Sequence, residues 1–207
     1  MLLTLDHLAI AAKDLSSGVD HVQKQLSVSP PFGGEHVLMN THNHLMKLGT
    51  DEFLEVISIN PAAPKPNRPR WFALDHFNDD TPRLTTWVAR TDDFDAAMNA
   101  TQFLNWQALT VSRGELTWRI AVPEDGSLPF GGAFPTIIEW PMRPLPGSKM
   151  ADFNCSLKKL HITHPEADML EAHLSPLIDD QRITITQGET TTISALIDTP
   201  DGPRELV

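Results

Sequence analysis

The chain is poor in cysteine and in positive charge, and it has no tyrosine. Its 207 residues include one cysteine, and 16 lysines and arginines stand against 27 aspartates and glutamates, for a formal net charge of −11 at pH 7. The single cysteine, Cys155, can form neither an intramolecular disulfide nor a thiolate metal site, so a bound metal would need His, Asp or Glu ligands. An acidic surface repels phosphate backbones and anionic membranes, so we expect neither nucleic acid nor a membrane as a partner.

Long apolar runs, targeting signals and nucleotide motifs are also missing. No apolar run approaches the roughly 20 residues of a membrane-spanning helix. The first segment, MLLTLDHLAIAAKDL, is interrupted by Asp6 and His7 and lacks a basic start, so it does not predict a signal peptide. The glycine pairs at 33–34 and 131–132 lack a P-loop lysine and dinucleotide spacing, so neither a nucleotide nor a flavin is expected. We therefore expect a cytoplasmic globular protein whose partner is a small molecule.

Apolar periodicity predicts a βαβββ unit in residues 1–60 and a second one in residues 83–145. In the first unit, Asp14 precedes a helix predicted over 15–26. Pro30-Pro31 and the glycine pair 33–34 interrupt the chain after this helix. Strands are predicted over 3–12, 35–48 and 53–59. In the second unit, a helix over 93–103 accompanies strands over 84–90, 107–112, 116–122 and 134–140. Aligning AAKDL with RTDDF superposes the two units, which indicates an internal duplication. The Pro-rich stretch 60–82 between them is interpreted as a linker pinned by its apolar piece Trp71–Leu74.

A third, fainter unit follows in residues 155–207. The segment 157–164 favours a strand, and Pro165 suits the start of a helix predicted over 165–176. The segments 182–187 and 191–198 favour two more strands before a turn and a very short last segment. The order is again βαβ, so the whole chain is expected to be an α+β protein with two full modules and a smaller third one.

Two carboxylates and one histidine interrupt otherwise apolar strands. Glu55 lies within FLEVISI and Glu139 within IIEW, at matching ends of the duplicated unit. A carboxylate on an apolar face is costly unless it is paired, hydrogen-bonded or metal-bound; the alternative is that one face of each strand is solvated. His7 shares its face with the small residues Ala9 and Ala11, which leaves room for a ligand, although a satisfied core histidine is the alternative.

Further polar residues are candidates for substrate binding. Thr41 and Asn43 could donate hydrogen bonds from a pocket wall, and His36 could reach the pocket mouth. Arg119 alternates with Trp118 in LTWRIAV, which favours either an ion pair with an interior glutamate or a clamp for a substrate carboxylate.

The segment LDHLAIAAKDL, followed by a helix and by FLEVISI, resembles the start of the glyoxalase/bleomycin-resistance group, the vicinal oxygen chelate superfamily. The blocks RWFALD, PRLTTWVARTDDFDAA and LTWRIAVPEDGSLPFGGAFPTIIEW are similar to a glyoxalase-like subfamily of it, over roughly residues 3–145. The resemblance implies tandem βαβββ modules that form an incomplete barrel. Because modules pair in this fold, we expect the odd third module to pack on the linker 60–82 or against a second subunit of a homodimer.

The resemblance also implies a ligand set, because metal-dependent members hold their ion on the first and last strands of two modules. Carried over to this chain, these positions are His7, Glu55, Thr86 and Glu139. His7, Glu55 and Glu139 would hold a divalent Zn, Ni, Mn, Fe or Mg ion. Thr86 departs from the His, Gln or Glu typical there, which leaves either an open position for water or substrate or a lost metal site. The departure argues against an extradiol dioxygenase, which needs two histidines and one carboxylate.

Two functions remain open on these grounds. The first is a metal-dependent lyase or isomerase acting on a small oxygenated substrate, in which Glu139 or Glu55 carries the proton. Its substrate would contact the polar residues Thr41, Asn43, Thr86, Arg119 and His36. The second is a metal-free protein that binds or sequesters a small molecule, with Glu55, Glu139 and Arg119 as an internal polar network.

Overall fold

The computed structural model of the protein describes residues 2–207 and has the α+β fold class predicted. The first unit consists of β1 Thr4–Ala11, α1 Leu15–Leu26, β2 Phe32–His36, β3 Thr41–Lys47 and β4 Phe53–Ile59. The second consists of β5 Arg83–Arg90, α2 Phe94–Ala100, β6 Trp106–Arg113, β7 Leu116–Pro123 and β8 Thr136–Glu139. The third consists of β9 Ser156–His164, α3 Ala167–Leu174, β10 Ile183–Gln187, β11 Thr192–Thr199 and β12 Gly202–Leu206.

The first two units form one eight-stranded sheet that curls into an incomplete barrel. Its strand order is β2-β3-β4-β1-β5-β8-β7-β6. In each unit the first strand runs parallel to the last, β1 beside β4 and β5 beside β8, and the antiparallel β1–β5 pair joins the two halves. The curl brings the edge strands β2 and β6 into contact. The predicted tandem modules and incomplete barrel are therefore confirmed.

Local side-chain signals fix the ends of the helices. Asp14 caps α1 and Asp93 caps α2, because each carboxylate accepts a hydrogen bond from the backbone amide three residues further on, at 2.9 and 3.0 Å. Helix α2 ends at Ala100, earlier than predicted, because the Thr101 hydroxyl donates to the Ala97 carbonyl and a tighter 3-10 turn follows. No helix within residues 2–207 is long and apolar enough to cross a bilayer.

Apolar side chains form two cores, one on each side of the large sheet. The convex core contains α1, α2 and alternate residues of the central strands, such as Leu8 and Trp87. The concave core contains the opposite faces of the same strands, such as Ala9 and Val88. The linker piece Trp71–Leu74 is buried in the concave core, apart from the half-buried Ala73, as its apolar character predicts. The inner face of the barrel is thus lined from both modules and covered by the linker.

The third unit forms a separate four-stranded sheet in the order β10-β9-β11-β12. Its first strand runs parallel to β10, the strand directly after α3, so its topology differs from that of the first two units. Its apolar residues, including Leu160 and Ile197, belong to the same convex cluster as Leu8 and Trp87. The expected packing on the linker 60–82 is wrong, because the linker's apolar residues cover the opposite, concave face. The homodimer contact stays a prediction.

Because the third unit shares the convex core, we expect the chain to unfold in one transition. Leu160 on β9 is fully buried in that core, so Leu160→Ala should lower the free energy of unfolding by about 2–5 kcal/mol. The neighbouring Lys159 is exposed, and Lys159→Ala is the matched control. Urea unfolding followed by tryptophan fluorescence and by far-ultraviolet circular dichroism makes the measurement. Loss of only part of the circular-dichroism signal in Leu160→Ala, with an unchanged fluorescence transition, would show two separate units instead.

Candidate functional site

The concave side of the eight-stranded sheet encloses a cavity with mostly apolar walls, many of them aromatic. The space inside it that a water-sized sphere can occupy is about 40 Å³, enough for a few water molecules, so the cavity is narrow. Its aromatic wall residues are Phe53, Trp71, Phe72, Trp118 and Trp140. Its polar residues are His7, His36, Asn43, Glu55 and Arg113. Four of these five polar residues come from the first module, and Arg113 comes from the second.

A β-bulge in β1 sets the orientation of His7. Along the β1–β5 pair, Leu5 faces Ala89 and His7 faces Val88, so Asp6 is the extra residue. In a regular strand neighbouring side chains point to opposite faces, but the bulge lets Asp6 reach the ring of His7. The His7 Nδ1–H donates to Asp6 Oδ1 at 2.6 Å. This bond fixes the imidazole and leaves its Nε2 for the cavity.

Asp6 is itself completely buried and is held by groups from the second module. The Trp140 Nε1–H donates to Asp6 Oδ2 at 3.1 Å, and Arg90 Nη1 lies 3.9 Å from the same oxygen. A cavity-wall tryptophan therefore also supports the carboxylate that orients His7.

Glu55 faces His7 across the floor of the cavity. Its Oε2 lies 3.6 Å from His7 Nε2, which is longer than a good hydrogen bond. Its other oxygen, Oε1, accepts a hydrogen bond of 2.6 Å from Asn43 Nδ2. The ring of His7 also stacks on that of Phe53, with centroids 4.2 Å apart. Both members of the pair are thus held from behind, with a gap between the two facing atoms.

His7 and Glu55 are both charged in the folded protein. Burial on its own disfavours the imidazolium, but hydrogen bonds and charges from Asp6 and Glu55 outweigh it and raise the pKa of His7 to about 9. Burial likewise disfavours the ionised Glu55, but His7, the nearby His36 and the Asn43 amide lower the pKa of Glu55 to about 2. Near neutral pH the cavity floor therefore carries an imidazolium beside a carboxylate.

His36 behaves differently from His7 because no carboxylate contacts its ring. Burial, helped by the charges of Arg113 and His7, lowers the pKa of His36 to about 4 despite the opposing effect of Glu55. Its Nδ1 lies 3.0 Å from the hydroxyl of Thr41, the residue opposite it in the β2–β3 hairpin. His36 is therefore neutral at pH 7 and can accept a hydrogen bond from the cavity side.

The structure brings together only part of the residue set predicted from the sequence. His7, Glu55, Asn43 and His36 line one cavity. Thr41 is buried behind His36, and the hydroxyl of Thr86 is buried at 3.3 Å from the carbonyl oxygens of Trp87 and Gly132. Neither threonine lines the cavity.

The expectation that Glu139 joins His7 and Glu55 is wrong. Side chains alternate along β8, and Ile138 and Trp140 point into the cavity, so Glu139 points out of the barrel. Its Oε1 accepts a hydrogen bond of 3.3 Å from the Phe94 amide at the start of α2. The two glutamates are equivalent in sequence order, but only the one in the first module faces inward.

Arg119 also points out of the barrel, which corrects its predicted place in the pocket. Its guanidinium forms ion pairs with Asp95 and with Glu139, and it lies over the ring of Phe94. The proposed pair with a glutamate is therefore present, but on the outer surface. It is not available as a clamp for a substrate inside the cavity.

The residues on the cavity floor do not fit a resident metal ion. Protein sites for Zn or Fe use three or four donors, and here His7 Nε2 and Glu55 are the two that meet. Glu139 is outside, and the oxygen of Thr86 is used by main-chain carbonyls. Within residues 2–207 no group of three or more His, Cys, Asp or Glu side chains could hold an ion. The positive charge that offsets Glu55 comes instead from His7 and from the nearby Arg113.

Two residues of the site are not indicated by the sequence: Arg113, which lines the cavity, and Asp6, which lies behind His7. In a regular strand the side chains of Asp6 and His7 would point to opposite faces of the sheet. The bulge is what lets the two side chains meet. Arg113 ends the edge strand β6, and it reaches the cavity because β6 curls against β2. That contact joins residues almost 80 positions apart and has no local signal.

The glycine pair at 33–34 lies inside β2 rather than breaking the chain before it. A Cβ atom on Gly33 would lie 2.5 Å from Asn43 Oδ1, and one on Gly34 would lie 2.8 Å from Arg113 Cδ. Both distances are too short, so side chains at these two positions would displace Asn43 and Arg113. The glycines therefore make room for two polar residues of the cavity.

The curled double βαβββ sheet and its inner cavity define a glyoxalase-like fold of the vicinal oxygen chelate superfamily. The family described as "Glyoxalase-like domain" matches residues 5–178, which is most of the chain, and the chain belongs to this family. The match extends past the barrel through β9 and α3. No curated protein sequence matches the chain.

Solved structures share the fold at low sequence identity. A hypothetical protein from Staphylococcus aureus superposes with a TM-score of 0.65 and 11% identity, covering 96% of this chain and 92% of its own. Methylmalonyl-CoA epimerase from Mycobacterium tuberculosis covers 69% of this chain and 91% of its own, with 17% identity and a TM-score of 0.47. At these identities the likeness concerns the fold alone.

The charged pair predicts how stability depends on pH. A group whose pKa is raised on folding stabilises the protein fully below its unfolded pKa, so the contribution of His7 is complete at pH 6.5 and is lost as the pH rises to about 9. We expect the free energy of unfolding to fall by roughly 1–3 kcal/mol over that range. Urea titrations at each pH measure it.

His7→Gln should remove this decline, and the exposed His76→Gln is the matched control that should keep it. His36 does not confuse the test, because its lowered pKa costs stability only as the pH falls from 6.5 toward about 4. A decline of unchanged size in His7→Gln would contradict the assignment of the imidazolium to His7.

Proposed function

We propose that the protein binds a small molecule with an apolar body and a carbonyl oxygen, and that Glu55 and His7 move a proton on it. This is chemistry of the lyase or isomerase type. The observation that carries the proposal is the charged pair with a 3.6 Å gap between His7 Nε2 and Glu55 Oε2, at the floor of an aromatic cavity. Charged groups in such surroundings are typical of functional sites, because burial of charge destabilises a fold that does not need it.

The support of each charged group from behind favours a reacting pair over a purely structural one. Asp6 holds the Nδ1 side of His7, and Asn43 holds Oε1 of Glu55, so neither side chain needs the other for its position. A ligand oxygen can therefore replace Glu55 as the acceptor for His7 Nε2–H without disturbing the floor. Preorganised donors of this kind act on the charge that develops during a reaction.

Proton transfer by this pair balances without any further reactant. His7 Nε2–H donates to the ligand's carbonyl oxygen, and the Glu55 carboxylate takes a proton from the carbon next to that carbonyl. The carbon–hydrogen electron pair becomes the double bond of an enol, and the proton of His7 moves to the oxygen. The reverse transfers return a proton to carbon, on the same or the other face.

The resemblance predicts a divalent metal. Such an ion would need a third protein ligand beside His7 and Glu55 on the cavity floor. If an ion were bound there, it would polarise the ligand oxygen. The donor set of His7 and Glu55 alone favours the proton-transfer function without it, and no step above depends on an ion.

Sequestration of a small molecule is the second candidate, and one observation favours it. The ion pair with His7 lowers the pKa of Glu55, which makes its carboxylate a weak base before the ligand enters. A binding protein would need only the aromatic walls and the hydrogen bonds. The two candidates differ in whether a bound ketone exchanges its protons.

Benzylacetone and benzylpyruvate are suitable probes, since each has an aromatic body and a methylene group next to a ketone. We expect the protein to accelerate exchange of that methylene with deuterium oxide for at least one of them, measured by proton nuclear magnetic resonance. Glu55→Gln and His7→Gln should each reduce the acceleration by about 100-fold or more. Glu139→Gln, on the corresponding strand of the second module but outside the barrel, should keep it.

Stability is measured first for each variant, because removing one partner of a buried ion pair costs about 3–5 kcal/mol. Quenching of the wall tryptophans then reports binding separately from exchange. Binding without exchange in the unaltered protein would favour sequestration, and exchange retained in Glu55→Gln would contradict the assigned base.

Metal content gives a further prediction. Protein purified without chelators should contain far less than one equivalent of Zn, Ni, Mn, Fe or Mg by elemental analysis, since two donors bind such ions weakly. Treatment with a chelator should leave the melting temperature unchanged. A stoichiometric ion that is lost in Glu55→Gln and stabilises the folded protein would favour the metal-dependent function instead.

A further inference from the structure

Arg113 is a cation of the cavity that has no carboxylate within ion-pair distance among residues 2–207; the charge of Glu55 acts on it only without contact. Its guanidinium contacts only neutral groups, through one nitrogen: Nη1 lies 3.3 Å from Asn43 Oδ1 and 3.4 Å from His36 Nε2. By contrast, Arg119 and Arg182 are paired with carboxylates at the surface. Both contacts of Arg113 are long, so they do not satisfy the charge.

Within the described residues, two N–H donors on one edge of the Arg113 guanidinium have no hydrogen-bond partner. An arginine side chain has five N–H donors, and its Nε–H and Nη2–H lie parallel on one edge, which matches the two oxygens of a carboxylate. In Arg113 neither of these two groups has a hydrogen-bond partner in the part of the chain that the structure describes. An anion that reaches this edge from the cavity would therefore meet two free donors and break no hydrogen bond of the arginine.

The position of Arg113 depends on Gly34 in the neighbouring strand. A Cβ atom on Gly34 would lie only 2.8 Å from the Cδ atom of Arg113. Any residue other than glycine at position 34 would therefore take the space that the Arg113 side chain occupies. The contact between the edge strands thus fixes the arginine at the cavity without an ion pair to hold it.

The charges that line the cavity favour a single negative group. Two cations, Arg113 and His7, face one anion, Glu55, although the whole chain carries a net charge of −11. Asp6 lies behind His7 and does not line the cavity. With Asp6 and Arg90 behind His7 included, three cations stand against two carboxylates. One ligand carboxylate would therefore balance the charge, whereas a doubly charged phosphate would bring excess negative charge near Glu55.

We infer that Arg113 is the carboxylate-binding residue of this cavity and that the ligand is a small carboxylic acid with an apolar body. His36 and Asn43 hold the guanidinium from one side, and the aromatic walls formed by Trp71, Trp118 and Trp140 contact the body of the ligand. The inference rests on the proposed function for the place of the carbonyl group, and it adds the substrate class.

The matched pair of ketones tests it, since benzylpyruvate carries a carboxylate where benzylacetone carries a methyl group. Affinities are measured by tryptophan quenching at low ionic strength. We expect the unaltered protein to bind benzylpyruvate at least about tenfold more tightly than benzylacetone. Arg113→Gln should abolish this preference, so that the two ketones bind with similar affinity, and Arg204→Gln, at an exposed arginine on β12, should keep it.

Gly34→Ala keeps the arginine but displaces it, and it should also weaken binding of benzylpyruvate; because Gly34 has a φ of 157°, the stability of this variant is measured first. Arg113→Lys, which keeps the charge without the planar fork, should retain only part of the preference. Equal affinity for the two ketones, failure of both to bind at millimolar concentration, or a preference that survives Arg113→Gln would overturn the inference. Tighter binding of benzylphosphonate than of benzylpyruvate would overturn the choice of a carboxylate.

The two proposals fail in distinguishable ways. An Arg113-dependent preference without proton exchange leaves the carboxylate subsite in place and removes the proton transfer. Exchange that depends on Glu55 but is equal for both ketones leaves the proton transfer and removes the subsite.

Discussion

The carboxylate of Glu55, buried inside an aromatic barrel, is the constraint to which the other polar side chains of the cavity respond. An unpaired charge there would destabilise the fold, so the neighbouring strands supply a cation and a hydrogen-bond donor. His7 comes from β1 and Asn43 from β3, on either side of β4. Even the bulge at Asp6 belongs to this arrangement, since it provides the second carboxylate that keeps His7 protonated.

The surrounding fold makes this arrangement rigid. The first and last strands of a module are parallel neighbours, so His7 pairs with Phe53, two residues before Glu55 and on the same face. The barrel curl brings Arg113 to the same space from the opposite edge of the sheet. The third unit covers the convex face of the strands that carry these groups, and so stabilises the sheet from the other side.

Sequence reasoning located what depends on short-range pattern. The spacing of the apolar residues predicted the two modules, and Asp14 and Asp93 predicted the starts of their helices. Glu55 and His7 interrupt apolar strands, which indicated two members of the site. It failed where side-chain direction depends on long-range geometry. Glu139 has the same sequence setting as Glu55 but the opposite orientation, and Arg113 reaches the cavity only through closure of the barrel. The sequence favoured an internal position for Arg119 because its neighbours are apolar. Those neighbours point to the opposite face of the sheet, so Arg119 points outward.

The duplicated halves are chemically unlike where they face each other across the cavity. The first module contributes four of the five polar cavity groups, whereas the second contributes Arg113 and apolar walls such as Ile138 and Trp140. The approximate twofold symmetry of the backbone is therefore absent from the interior surface. The repeated backbone thus carries most of the polar groups of the cavity in one half and a largely apolar wall in the other.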